Sequence, residues 1–188
     1  MRLLSALLAA ALLAGCAAVP KLPPERSRLR DFALEARFAL RVTPPDRAPR
    51  SSGGLLSWEH DGRGDRLLLS SPLGIGLAEI DMAPGVARLR TADGRRIESA
   101  DPESLTEEVT GQRLPVGRLS DWLLGRTTAG GTLERDAAGR PARLSEAGWQ
   151  IDYAYADAAP DAPPSALTLN RAGEIELKLR IESWRELP

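Results

Sequence analysis

The sequence predicts a mainly β protein of the α+β class, a curved antiparallel sheet covered by a lid of short helices. Strand-length segments alternate apolar and polar residues, and turn signals separate them at roughly ten-residue spacing. Between Asp101 and Gly125 two capped helical patterns interrupt the strands. Barrel and sandwich both satisfy this pattern.

The N-terminus must be set aside before the fold is argued. Met1-Arg2 is a positive start, residues 3–13 are almost wholly Leu and Ala, and the run closes on Leu13-Ala14-Gly15-Cys16. A run of about a dozen apolar residues is shorter than the ~20 that span a bilayer and fits a secretory signal. Small residues followed at once by cysteine resemble the bacterial lipobox, which implies cleavage before Cys16 and acylation of that residue. The expected organisation is a cleaved signal peptide over 1–15, a Pro-rich tether over 16–27 leading from lipid on Cys16, and one half-barrel domain over 28–188. Cys16 is the only cysteine, so no disulfide forms within the chain. Two or more acyl chains hold a protein firmly on a membrane. In the sorting pathway that this signal resembles, a residue other than Asp after the cysteine, here Ala17, directs the product to the outer membrane.

The strands follow. Phe32, Leu34, Ala36, Phe38, Leu40 and Val42 alternate with polar residues, as do Trp149, Ile151, Tyr153 and Tyr155. Residues 174–182 alternate without a break, which is a strand with one dry and one wet face and places Trp184 on the charged, even side. Further strands are expected near 53–60, 65–71, 75–82, 86–92, 131–136, 141–146 and 165–171. The first helix starts with Asp101 as N-cap and Pro102 at its first position, and stops at Gly111. The second runs from Pro115 to Leu124, with Leu119, Trp122 and Leu123 on one apolar face. Both faces need a partner, and the dry face of the sheet is the large one available. Periodicity does not say whether the space between is packed or hollow.

Chemistry is sparse. His60, the single histidine, is expected at the surface beside a hairpin turn; no nucleophile elbow, phosphate loop or metal-ligand spacing is present. No catalytic residue, metal or cofactor is assigned, apart from covalent lipid on Cys16, and the chain reads as no enzyme. With 25 Lys+Arg against 26 Asp+Glu, no nucleic-acid partner is expected.

Trp58, Ser71-Pro72-Leu73-Gly74, Thr110-Gly111-x-x-Leu114-Pro115-Val116, Trp122-Leu123-Leu124-Gly125, Gly148-Trp149-x-x-x-Tyr153 and Ile181-x-x-Trp184 occur in an ordered set that resembles the LolB family of outer-membrane lipoprotein receptors. The resemblance implies an incomplete antiparallel β-barrel enclosing an apolar cavity under short helices. It implies a monomer, lipid-anchored on the periplasmic face of the outer membrane. Such a protein accepts acylated lipoproteins from the periplasmic carrier LolA and inserts them into outer-membrane phospholipid, without nucleotide. A lipid-anchored assembly factor of the outer membrane, with a packed core, is the rival reading.

Within the resemblance, Pro72, Leu73 and Gly74 form a protruding loop that serves membrane insertion. Read alone, Leu73 would be expected to fold back into the core. Trp58, Leu119, Trp122, Leu123, Trp149, Ile151 and Tyr153 are the expected cavity lining, and each tryptophan is also a plausible core filler.

Overall fold

The computed structural model describes residues 24–128 and 130–188. The signal peptide, Cys16 and residues 16–23 of the tether lie outside them. All strands among the described residues form one antiparallel sheet. They are β1 (Phe32–Val42), β2 (Arg50–Asp61), β3 (Gly64–Ser70), β4 (Gly76–Ala83), β5 (Val86–Thr91) and β6 (Arg96–Ser99), then β7 (Thr132–Arg135), β8 (Pro141–Glu146), β9 (Trp149–Ala154), β10 (Ala166–Arg171) and β11 (Ile175–Glu186).

The spatial order is β6-β5-β4-β3-β2-β1-β11-β10-β9-β8-β7. Two meanders are thus zipped together by the long strands β1 and β11, paired from Phe32↔Glu186 to Val42↔Ile175. The outermost strands β6 and β7 do not pair with each other, so the barrel is open.

Helices α1 (Pro102–Thr110) and α2 (Val116–Leu123) connect those two edges. The Asp101 side chain accepts a hydrogen bond from the Glu103 N–H, and Gly111 ends α1 with φ 72°, the left-handed conformation that glycine adopts without strain. α1 packs against β4, β5 and β6. α2 buries Val116, Leu119, Trp122 and Leu123. Its ties run to the other meander, through Tyr153 Oη donating to Trp122 O at 2.5 Å and Trp122 Nε1 donating to Glu146 Oε2 at 3.1 Å. The lid therefore spans the concave face, one helix over each half.

Three local features depart from the sequence expectation. β6 is an additional strand; Arg96-Ile97-Glu98-Ser99 offers a single apolar residue and so no periodic signal. A bulge shifts the β1–β11 register so that Glu35 faces Ser183 while Ala36 faces Ile181. A bulge reverses which side the following residues take, and Trp184 consequently packs edge-on to Phe32 at 5.3 Å instead of pointing outward. Finally, the end of the expected tether is docked. The Arg26 N–H donates to Asp161 O at 2.7 Å, the Ser27 N–H to Asp161 Oδ1 at 3.1 Å, and Leu29 is fully buried.

Candidate functional site

Under α1 lies an apolar hollow of about 270 Å³, walled by β1–β4, β11, α1 and the start of α2. Phe38, Leu56, Leu67 and Ile80 form its floor, with Val109, Leu114 and Leu119 on the lid side. The space exists because β2 sets Gly54 opposite Phe38 and Ser52 opposite Leu40, which leaves almost no side chain there. A Cβ on Gly54 would collide with the carbonyl oxygen of Ser70, so glycine is required there for β3 to approach.

The lid keeps its own polar groups occupied. Thr106 Oγ1 donates to Glu103 O at 2.8 Å and accepts from the Leu114 N–H at 2.9 Å. Thr110 Oγ1 donates to Thr106 O at 2.7 Å. Satisfied hydroxyls leave an apolar ceiling.

Of the residues expected to line a cavity, Leu119 faces this hollow. Trp58, Trp122, Leu123, Trp149 and Ile151 are buried in the surrounding core, and Tyr153 packs against it. The indoles are held there by polar partners. Trp58 Nε1 donates to Asp65 Oδ1 at 2.8 Å at the far end of the barrel, where Phe32 closes over it. Trp122 Nε1 is bound by Glu146, whose buried carboxylate also accepts from Arg118 at 2.7 Å and Thr128 Oγ1 at 2.6 Å. Burial alone would push the Glu146 carboxyl up; the hydrogen bonds from Thr128 and Trp122 and the Arg118 charge outweigh it and hold the carboxyl below its usual range. A buried indole with a satisfied N–H is fixed in place.

The Ser71–Ile75 connection between β3 and β4 projects into water. Ser71 exchanges hydrogen bonds with Gly74 and Ile75 at 2.8 Å, and Gly74 takes φ 83° with open space around it. Leu73 is 88% exposed and Ile75 64%. With Leu68 and Leu77 they are the exposed large hydrophobics among the described residues. A leucine left in water forgoes about 2–3 kcal/mol of burial, so Leu73 and Ile75 exposed on one loop mark a contact surface. Leu77 belongs to both features. The β3–β4 register passes from Leu69↔Ala78 to Ser70↔Gly76, leaving Leu77 as the bulged residue at the rim of the hollow.

His60 is less exposed than its turn position suggests. Its ring lies 5.0 Å from that of Phe32, and Nδ1 is 2.8 Å from the same Asp65 Oδ1 that accepts from Trp58. The Asp65 hydrogen bond raises the His60 pKa above 6.5 against the opposing effect of burial, helped by the charges of Asp65, Asp31 and Asp121. A raised folded-state pKa contributes stability fully below the unfolded value and loses it as pH rises through the folded one. The melting temperature of the parent should therefore fall as pH rises above about 6.5 more steeply than that of His60→Gln. Parallel pH profiles in thermal melts would count against the Asp65 pairing.

Residues 30–184 match the family described as Outer membrane lipoprotein LolB. The chain belongs to the LolB family. The Outer-membrane lipoprotein LolB of Dechloromonas aromatica (strain RCB) is 60% identical over 98% of this chain and 97% of its own length. That of Azoarcus sp. (strain BH72) is 35% identical over 99% and 97%, and that of Halorhodospira halophila 36% over 97% and 94%. Among solved structures, a LolA superfamily protein from Nitrosomonas europaea aligns with TM-score 0.50 at 11% identity, over 87% of this chain and 91% of that one. At that identity the likeness shows the fold alone. The open sheet under two helices is thus an arrangement that this member of the LolB family shares with the LolA superfamily. The small-residue run at Ser52-Gly53-Gly54 was the sequence signal for the hollow of this LolB chain, and the more conspicuous tryptophans masked it.

Proposed function

We propose that this chain is the outer-membrane receptor of its pathway: it takes acylated lipoproteins from the periplasmic carrier LolA into the hollow under α1 and inserts them into outer-membrane phospholipid. The observation that carries this reading is the junction at Leu77, where an apolar hollow meets an exposed apolar loop. Acyl chains leaving the hollow there would pass directly beneath Leu73.

The present hollow of about 270 Å³ is small for several acyl chains, since ligand pockets usually begin near 300 Å³. Loading would therefore need displacement of α1, which contributes Thr106, Val109 and Thr110 to the wall. Pro72 and Gly74 shape the loop and Leu73 touches the bilayer. Anchoring belongs to lipid on Cys16, with residues 1–15 removed and 16–27 as tether, facing the periplasm. The body is one half-barrel domain that works as a monomer. No reaction is catalysed; affinity differences among carrier, receptor and bilayer drive the transfer. An assembly factor with a packed core is the less favoured reading, because the hollow is already present.

Filling the hollow tests the proposal. Ser52→Trp places an indole against Leu40 and Thr110, and should lower uptake of a fluorescent fatty-acyl probe by about tenfold while the fold melts no earlier than the parent. Unchanged uptake in a folded Ser52→Trp variant would remove the hollow from the account.

A further inference from the structure

Beside the hollow is a second, less apolar space of about 590 Å³, bounded by the β1–β2 connection, the start of β2 and the end of α1. Its walls include Pro44, Pro45, Asp46, Arg47, Arg50 and Gln112. Leu40, Ser52 and Thr110 line both spaces, so the two adjoin there. We propose that this vestibule is a subsite for the polar head of acylated cargo, with Arg47 and Arg50 donating to the ester and amide oxygens that join the acyl chains to the cargo's first residue. The assignment rests on the receptor reading above.

Arg41, Arg96 and Arg180 also have no carboxylate partner among the described residues, but of the unpaired arginines only Arg47 and Arg50 line this space. Arg37 is paired with Glu182, Arg66 with Asp81, Arg88 with Glu98 and Arg90 with Glu79. Among the described residues, Arg47 and Arg50 make no ion pair and donate no side-chain hydrogen bond, and both are exposed. Their donors are available at the one place where an amphiphile would need them.

Geometry assigns the ligand chemistry. If acyl chains occupy the hollow, the glyceryl esters and the first amide must lie where the apolar wall gives way to the less apolar one, at Leu40, Ser52 and Thr110. Guanidinium groups offer a rigid set of five N–H donors and are weakly hydrated, which suits several carbonyl oxygens at once. Asp46 on the same wall offsets one of the two charges. The site is thus suited to neutral carbonyl oxygens more than to a phosphate. Pro44 and Pro45 fix φ at two successive positions, which stiffens the loop carrying Arg47.

The test uses the mature chain with Cys16→Ala, so that its own lipid does not compete, and three probes. These are a neutral triacylated cysteinyl lipopeptide, a fluorescent alkane without ester or amide, and a dialkyl phosphate. Relative to the same chain, Arg47→Gln/Arg50→Gln should bind the lipopeptide about tenfold more weakly and the alkane unchanged, with an unaltered melting temperature. Equal binding of lipopeptide by both proteins would overturn the vestibule while leaving the receptor reading intact. Parallel loss of alkane and lipopeptide would also overturn it, since the arginines would then shape the hollow instead. A larger loss for the dialkyl phosphate than for the lipopeptide would overturn the carbonyl assignment. If the parent bound none of the probes, the receptor reading itself would fail.

Discussion

Leu73→Glu is expected to leave cargo uptake intact and to slow delivery into liposomes by at least about tenfold. Leu73 is 88% exposed and touches nothing that the fold depends on. Exposed substitutions away from special features usually change stability by less than about 0.5 kcal/mol, and the turn is held by Ser71 and Gly74, not by the side chain at its tip. The hollow lies beyond Leu77, so the new carboxylate does not enter it. What changes is the energy of bringing the loop tip to hydrocarbon, because an ionised carboxylate resists dehydration where leucine gains from it. One leucine contributes only ~2–3 kcal/mol, too little to anchor the protein and enough to bias a contact during transfer. Leu73→Met, which is equally apolar, should deliver normally. Uptake falling in step with delivery in Leu73→Glu would defeat this assignment, because the loop would then be part of the binding site. Scoring needs two assays on one preparation, acyl-probe uptake and cargo appearance in sedimented liposomes.

The largest expected effect on stability comes from Trp122→Ala. Trp122 is 1% exposed on the buried face of α2. Replacing a buried tryptophan by alanine typically costs about 3–5 kcal/mol. Here the loss is compounded, since Glu146 Oε2 surrenders a donor inside the core. At 2–4 °C per kcal/mol for chains of this size, the melting temperature should drop by roughly 10 °C or more. Trp122→Phe separates the two causes: it keeps most of the ring volume, removes the indole N–H, and should cost about 1–2 kcal/mol. A melting temperature for Trp122→Ala within two or three degrees of the parent would mean that α2 is not fastened to β8 as described.

What could be read from the sequence was whatever one residue's neighbours along the chain determine. Alternation fixed the long strands, and Asp101, Pro102 and Gly111 marked the first helix at both ends, because caps are local chemistry. The exposed loop was visible as a turn, and its leucine became meaningful through the family resemblance. Features made by pairing distant segments were not visible. The bulge at Glu35/Ala36 needs β11 beside β1 before it exists, and it alone turns Trp184 to the core side. The partners of Trp58 and Trp122, Asp65 and Glu146, lie on other strands, so nothing near either tryptophan announced a polar clamp. Aromatic residues drew the expected cavity toward positions that the fold packs tightly. The open space belongs instead to Ser52 and Gly53, where an absence of large side chains is the signal.

The most direct test mixes the mature Cys16→Ala chain with periplasmic carrier preloaded with a triacylated lipoprotein, and follows which protein holds the cargo after separation. Movement of cargo onto this chain, blocked in Ser52→Trp, is the predicted result. Cargo remaining on an active carrier in the presence of the folded chain would contradict the receptor account and leave the shared fold without the shared task.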